Sequence, residues 1–398
     1  MRLHLIPSEK FTTNILCVLL RRPLRREEVT KNALLPALLA RGTESWPSLR
    51  DIKLAAEAMQ GAIFDAQIVK KGEFQILQFF LESVDGEAPS LDFLHEIIMR
   101  PRAKAGAFHP DYLTGEAKNL QSRIEGRIND KSEYAKLLCI ENMCEQEAFG
   151  IYGDGYIEDI EGITAIGLMS HYEKIRSPEN LDLFALGKWD ESWLREEVNK
   201  RFAVCDGPRA IESAGLQQAR KERQIIKQDH GSTQGQLCIG LRGQVPPLGA
   251  DFVHFQLANE ILGGGPNAKL FTKIREKESL CYAIYSSIYR FKSIMCIQAG
   301  TEPDKLEQVY ELAESEFEAM KQGKFSEEDI NSAKSSLSKR WRAMQDNPSA
   351  CVDFYASQYL LGDESSFAGL LAQVEKASHS GICKAASQLD IDTVVMMQ

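Results

Sequence analysis

The chain has 398 residues, 43% of them hydrophobic and 26% charged, with a formal net charge of −10. That length is more than twice the ~150 residues of a typical domain, so two domains are expected. The composition is that of an ordinary globular protein, and the acidic balance argues against nucleic acid as a partner, which would call for a basic face.

The first apolar run, "ILCVLL" (Ile15 to Leu20), is too short to span a bilayer. It is followed by "RRPLRR" rather than by small residues suited to cleavage, so a cytoplasmic protein with no membrane segment is expected. "TTNILCVLLR" alternates as a strand, and "EEVTKNALLPALLARGTE" reads as a helix ending at Gly42. A second helix ("SLRDIKLAAEAM") and a hairpin ("GAIFDAQIVKKGEFQILQFFLES") follow. "HPDYLTGEAKNLQSRIEGRINDKSEYAKLL" is a long polar-faced helix interrupted at Asn129-Asp130. Further on, "GQLCIGLRG" is a strand and "GADFVHFQLANEILGGGPN" a helix ending in glycines. "AKLFTKIREK" is helical, "YAIYSSIYRFKSIMCIQAGT" holds two strands, and "SEEDINSAKSSLSKRWRAMQDNPSACVDFY" is a helix broken at Asp346-Asn347-Pro348.

The two halves repeat this order. Ala62-Ile63 corresponds to Ala283-Ile284, an offset of 221 residues, and Leu120 to Leu337, an offset of 217. An offset near half the chain length implies two copies of one α+β unit. Each is expected to be an antiparallel sheet with helices on one face, since hairpins join the strands. The expected boundaries are residues 1–203 and 225–398, with the polar stretch 204–224 as linker. A cleft between two such units is the default place for a site.

"ILGGGPNAKLFTKIREKESLCYAIYSS" resembles the second-half signature of the insulinase/pitrilysin/mitochondrial processing peptidase family: a glycine run, a short helix with "IREK", a Tyr and a strand. "KFTTN", "LLARGTESWPS" and "FHPDYLTGEAKNLQSRIEGRINDKSEYA" are similar to the bacterial insulinase-like branch that lacks a zinc site. Active members are inverted zincins. A helix carrying H-x-x-E-H supplies two zinc-binding His and a Glu that activates the metal-bound water, and a later Glu is the third ligand. Counting back from Gly42-Thr43, those positions hold Ala33, Pro36 and Ala37. On the long helix Glu116 fills the first of two family glutamates, but the ligand position seven residues on is Arg123. A zinc site of this kind needs three protein ligands and an open position, so no metal is expected in this chain. The seven histidines offer no pair within five residues, and "HEIIM" (His95 to Met99), a near miss for H-E-x-x-H, reads as packing. The nine cysteines form no CxxC pair and read as free thiols in a reducing compartment.

The resemblance retains Arg275 and Tyr282. In the family this pair comes from the second unit and faces the zinc. The Tyr hydroxyl donates to the scissile carbonyl as charge develops on its oxygen, and the Arg supports it or holds the substrate backbone. Seven residues of continuous helix would separate them by about 10 Å, so the helix must end between them for the two to converge. Gly263, Gly264, Gly265 and Asn267 are expected to let backbone approach substrate; a phosphate loop is excluded, since G-x-x-x-x-G-K-[ST] would need Gly at Ala268 and Ser or Thr at Leu270. The resemblance implies half of a clam-shaped dimer. This chain would bring Arg/Tyr to the zinc of a paralogous subunit, or pair with a second copy, for hydrolysis of peptides. The alternative is a catalytically inactive peptide-binding or scaffold homologue.

Overall fold

The computed structural model describes residues 1–84, 88–205, 215–229, 231 and 233–398. Residues 206–214, at the expected joint, and His230 lie outside them. The first elements are strands β1 (Arg2–Pro7) and β2 (Asn14–Pro23), helices α1 (Val29–Leu39) and α2 (Leu49–Ala58), and the hairpin β3 (Ile63–Lys71) with β4 (Phe74–Ser83). Helix α3 (Ala88–Met99), a small ribbon of β5 (Ala103–Lys104) with β6 (Ala107–Phe108), and the long α4 (Pro110–Gly126) follow. After the break at Asn129-Asp130 come α5 (Lys131–Met143), α6 (Ile157–Ile160), α7 (Ala165–Ile175), β7 (Leu181–Gly187) and α8 (Glu191–Phe202). The second half brings β8 (Gln224–Gln228), β9 (Gly235–Gly243), α9 (Gly249–Asn259), β10 (Cys281–Tyr289) and β11 (Ile294–Thr301). It closes with α10 (Leu306–Lys321), α11 (Glu327–Met344), α12 (Pro348–Leu361), α13 (Phe367–Lys376), α14 (His379–Ser387) and β12 (Leu389–Met397).

The chain divides into two compact units. One comprises Met1–Gly126, Ile151–Ala210 and Asp346–Ala356; the other comprises Arg127–Gly150, Ile211–Gln345 and Ser357–Gln398. Their division departs from boundaries at 203 and 225 in two places. Residues 127–150, from the first half of the sequence, belong to the second unit, and 346–356 belong to the first. Each exchanged segment begins at or near a helix break legible in the sequence, Asn129-Asp130 and Asp346-Asn347-Pro348. Part of the expected linker is also tied down within the second unit. The Arg220 backbone N–H donates to Asp392 Oδ2 at 2.9 Å, its guanidinium to the Asn142 carbonyl at 2.6 Å, and Arg223 pairs with Glu314 at 2.7 Å.

The first unit's sheet has the order β1-β7-β2-β4-β3, the second's β10-β11-β9-β12-β8. Matching β3 to β10, β4 to β11, β2 to β9, β7 to β12 and β1 to β8 makes the two orders identical, so the repeat extends to topology. Most pairs are antiparallel as expected, but β1 runs parallel to β7 and β8 parallel to β12. These parallel edge strands went unread because they are short and joined to their neighbours only over long stretches of sequence.

In the first unit Leu16, Val18 and Leu20 of β2 and Leu77, Phe79 and Leu81 of β4 pack with Leu34, Leu35 and Leu38 of α1 and Leu91, Leu94 and Ile98 of α3. Each such fully buried side chain contributes roughly 1.5–3 kcal/mol. The continuous apolar run of β2 is thus a central strand buried between neighbours. In the second unit Leu138, Cys139, Ile140 and Met143 of α5 pack onto Cys238, Cys296 and Val395. Those strand residues point to the face opposite Gly235, which abuts Leu306 of α10, so helices cover both faces of this sheet. Glu147, just past α5, pairs with Arg242 and, at 2.7 Å, with the fully buried Lys292. No helix among the described residues is long and apolar enough to cross a membrane.

Candidate functional site

The zinc-motif positions lie on α1, which packs against α4 and the β3–β4 hairpin. Ala33 and Pro36 are buried and Ala37 half-buried. Pro36 stands inside the helix, where its missing N–H leaves the Asn32 carbonyl without its helical donor. The Asn32 side chain belongs to a buried polar chain: its Nδ2 donates to Gln75 Oε1 at 2.9 Å, and Gln75 Nε2 donates to the Val29 and Gly153 carbonyls, each at 2.8 Å. Asn32 Oδ1 therefore accepts, and His171 Nε2 is the donor at 2.7 Å. Burial lowers the His171 pKa, consistent with a neutral imidazole.

Glu116, the one family carboxylate retained on α4, is buried, pairs with Arg41 and accepts from Asn119 Nδ2 at 3.1 Å. Arg123 pairs with Asp154 at 3.3 Å, whose other oxygen accepts from the Tyr152 hydroxyl at 3.1 Å. Guanidinium groups and hydrocarbon thus stand where ligands would be needed, and these residues do not fit a zinc ion. Among the described residues no group of three or more His, Cys, Asp or Glu could hold a metal ion. The "HEIIM" stretch is packing: His95 sits edge-on to Phe202 at 5.2 Å, and Glu96 accepts from the Ser45 backbone N–H at 2.7 Å.

The other half of the expected site lies in the second unit. Two segments wind with i→i+5 hydrogen bonds, Glu260–Gly264 and Phe271–Lys277, closed by Gly265 N–H to the Glu260 carbonyl and Glu278 N–H to the Lys273 carbonyl. Such π-turns are frequent at functional sites. Arg275 stands on the second of them, exposed, with its guanidinium over the Phe271 ring at 4.9 Å. The helix then stops between Arg275 and Tyr282, as convergence requires. Ser279 takes the left-handed conformation (φ 53°), and the Leu280 N–H returns to the Ile274 carbonyl at 3.0 Å in a Schellman-type closure. Strand β10 begins two residues later.

Tyr282 is 57% exposed. Along β10, Cys281 pairs with Thr301 and Ala283 with Gly300, so Tyr282 is the extra residue of a β-bulge, a device that re-aims a side chain. Burial raises the Cys281 thiol pKa, and the positive charge of Arg275 opposes the rise. Among the described residues Arg275 makes no ion pair and Tyr282 no side-chain hydrogen bond.

The glycines have a packing reason. A Cβ at Gly263 would come within 2.7 Å of the Ser286 backbone nitrogen, and one at Gly265 within 2.7 Å of the Glu260 carbonyl oxygen. The start of the π-turn beside them, Glu260 and the preceding Asn259, is anchored. Asn259 Oδ1 accepts from Ser286 Oγ at 2.8 Å, and buried Glu260 accepts from Ser336 at 3.0 Å and pairs with Arg340. Gly264 is half-buried and Asn267 exposed, 3.5 Å from Ser332 Oγ. Sequence reasoning missed Arg41, Asn119, Asp154, the bulge and the anchors Asn259 and Glu260. Only Arg41, next to Gly42-Thr43, carried a visible signal; the others depend on pairings between distant segments.

Comparison with known proteins agrees with this geometry. The family model described as "Peptidase M16 inactive domain" matches residues 163–337. The "Probable inactive metalloprotease YmfF" of Bacillus subtilis (strain 168) is 29% identical, the match covering 99% of this chain and 95% of that one. Over nearly its whole length the chain is similar to M16 peptidase homologues. Among solved structures, a conserved protein from Enterococcus faecalis V583 superposes with a TM-score of 0.90 at 26% identity, covering 100% of this chain and 96% of that one. A peptidase M16 inactive domain from Pseudomonas fluorescens does so with a TM-score of 0.81 at 18% identity, covering 99% and 94%. The chain is thus similar to proteins described as inactive M16 metalloprotease homologues, and its motif positions hold Ala33, Pro36, Ala37 and Arg123.

Proposed function

We propose that this chain is the zinc-free subunit of a two-chain M16 peptidase, bringing Arg275 and Tyr282 to the zinc site of a paralogous partner. The observation that carries this reading is the contrast in how the two sets of residues are held. The motif positions in the first unit are filled with non-ligands and closed by internal ion pairs, whereas Arg275 and Tyr282 are exposed and unpaired on a tightly built turn. A Tyr hydroxyl aimed at a developing oxyanion is worth ~10²–10³ in rate. The Arg275 guanidinium supplies a fixed positive charge beside it. The substrate is an extended peptide, docked by strand addition to β3, one edge of the first sheet, whose side chains alternate in exposure. Gly263, Gly264, Gly265 and Asn267 shape the approach to Tyr282. The nine free cysteines, six of them buried, support a reducing, cytoplasmic setting.

The test is reconstitution with a zinc-bearing relative from the same organism and a fluorogenic peptide. Tyr282→Phe and Arg275→Ala are expected to lower turnover of the pair by about 10²–10³ while leaving complex formation intact. Unchanged turnover sinks the catalytic role. The chain alone is expected to purify without stoichiometric zinc; a bound equivalent would point to an unrecognised ligand set.

A second reading, a scaffold or peptide-binding homologue without chemistry, draws on Pro36 within α1 and on the packing role of Gly263. It predicts peptide binding or assembly that is indifferent to Tyr282→Phe.

A further inference from the structure

In the second sheet β9 lies between β11 and β12. Near its end Arg242 stands directly opposite Asp390 of β12, close to a bulge at Asp392. Directly opposite residues have Cβ atoms about 4.5–5.5 Å apart, and opposite charges placed so ordinarily pair. These two do not. The Arg242 guanidinium donates through Nη1 to the Met143 carbonyl at 3.1 Å and through Nη2 to Glu147. Asp390 is exposed and accepts from Lys321 Nζ at 2.7 Å on its Oδ1. Bulges are over-represented next to functional sites, where they re-aim side chains.

Both residues line a cleft of about 420 Å³ within the second unit, together with Gln218, Gln244 and Gln388. Two polar atoms of these lining residues are buried without a hydrogen-bond partner: Arg242 Nε, a donor, and Gln388 Oε1, an acceptor. The whole Arg242 residue is only 4% exposed. Orphaned buried polar atoms are rare in native proteins, and each calls for an explanation. Water can satisfy such atoms, but this cleft holds far more than one water. Its volume falls in the range of small-molecule sites, roughly 300–1,000 Å³.

We propose that this cleft binds a free α-amino acid with a neutral polar side chain. The inference goes beyond the proposed function and does not depend on it. The ligand carboxylate accepts from the Arg242 Nε–H, its ammonium group donates to Gln388 Oε1 and to the Asp390 carboxylate, and its side chain meets Gln218 and Gln244. A cation and a carboxylate set opposite each other on adjacent strands match two opposite charges carried on one carbon. A simple anion would gain Arg242 but face Asp390, and a simple cation the reverse. Gln218 Nε2 stands 3.5 Å from Gln244 Oε1, a loose contact. Each carboxamide offers both donors and an acceptor, so a side-chain amide on the ligand pairs with it reciprocally. Met143 and Glu147 hold the Arg242 guanidinium in place before the ligand arrives, which lowers the cost of ordering it on binding.

The test is calorimetric titration of the full chain with L-glutamine, N-acetyl-L-glutamine, L-glutaminamide and glycyl-L-glutamine. L-Glutamine is expected to bind at a single site, and loss of either charge, in the acetylated or the amidated compound, to weaken binding about tenfold. Asp390→Asn alters an exposed side chain and is expected to weaken L-glutamine by about the same factor while leaving the acetylated compound unaffected. Gln388→Leu should also weaken L-glutamine, with an unchanged circular dichroism spectrum. No saturable binding of L-glutamine at millimolar concentration would mean a cleft filled by water alone and would overturn the proposal. Equal binding of the charged and blocked compounds, tighter binding of glycyl-L-glutamine than of L-glutamine, or an Asp390→Asn variant that binds L-glutamine unchanged would do so as well.

Discussion

The charged groups around α1 and α4 and those around the second π-turn are held in opposite ways. In the first unit Arg41 is matched to buried Glu116, and Arg123 to Asp154. In the second, Arg275 rests on the Phe271 ring and Tyr282 projects from a bulge into solvent. Arg41 thus neutralises the buried Glu116 carboxylate, and Arg123 the half-buried Asp154. The proposed role on an external group would require Arg275 and Tyr282 to stay unmatched within their own chain.

If that contrast is right, stability should fall steeply for the matched groups and hardly at all for the unmatched ones. The largest effect is expected deeper in the second unit. Glu147→Gln leaves Arg242 and Lys292 buried without a countercharge and should cost about 3–5 kcal/mol in urea unfolding. Arg41→Ala strands the Glu116 carboxylate with Asn119 alone; Arg41 is partly exposed, so about 2 kcal/mol is expected, and a double cycle with Glu116→Gln should show positive coupling. A cycle without coupling would dissolve the comparison.

The pH dependence sharpens it. Burial would raise the Glu147 pKa, but its hydrogen bonds to Arg242 and Lys292 outweigh burial and hold it below the ordinary glutamate value. A depressed folded-state pKa contributes stability that is present above the unfolded value and is lost as pH falls through the folded one. The wild-type chain should therefore lose more stability than Glu147→Gln on acidification below about pH 4.5, read as the shift of urea midpoints. Smallest of all, Arg275→Ala and Tyr282→Phe should each change stability by less than about 0.5 kcal/mol. A larger loss would mean that these side chains are part of the packing.

Much of this arrangement could be read without coordinates. The duplicated order of elements became an identical strand order in both sheets, and the breaks at Asn129-Asp130 and Asp346-Asn347-Pro348 are real ends of helices. Those signals are local: hydrophobic period, turn residues and breakers. What stayed hidden needed partners remote in sequence. β1 and β8 are defined by parallel pairing to strands more than 160 residues away. The match of Arg123 to Asp154 joins α4 to a loop beyond α5. The bulge at Tyr282 is invisible because it lies in the mismatch of two strands. Ser279 in the left-handed conformation gave no warning, since glycine would ordinarily mark such a stop.

The reciprocal ownership of 127–150 and 346–356 bears on how the molecule could be dissected or inherited. A nick in the 204–224 stretch would release two pieces, each lacking a helical segment of its own unit and carrying one that belongs to the other. Neither piece should be viable by itself, yet the two supplied together should recombine. The same interlacing would discourage recombination events that shuffle one repeat without its twin.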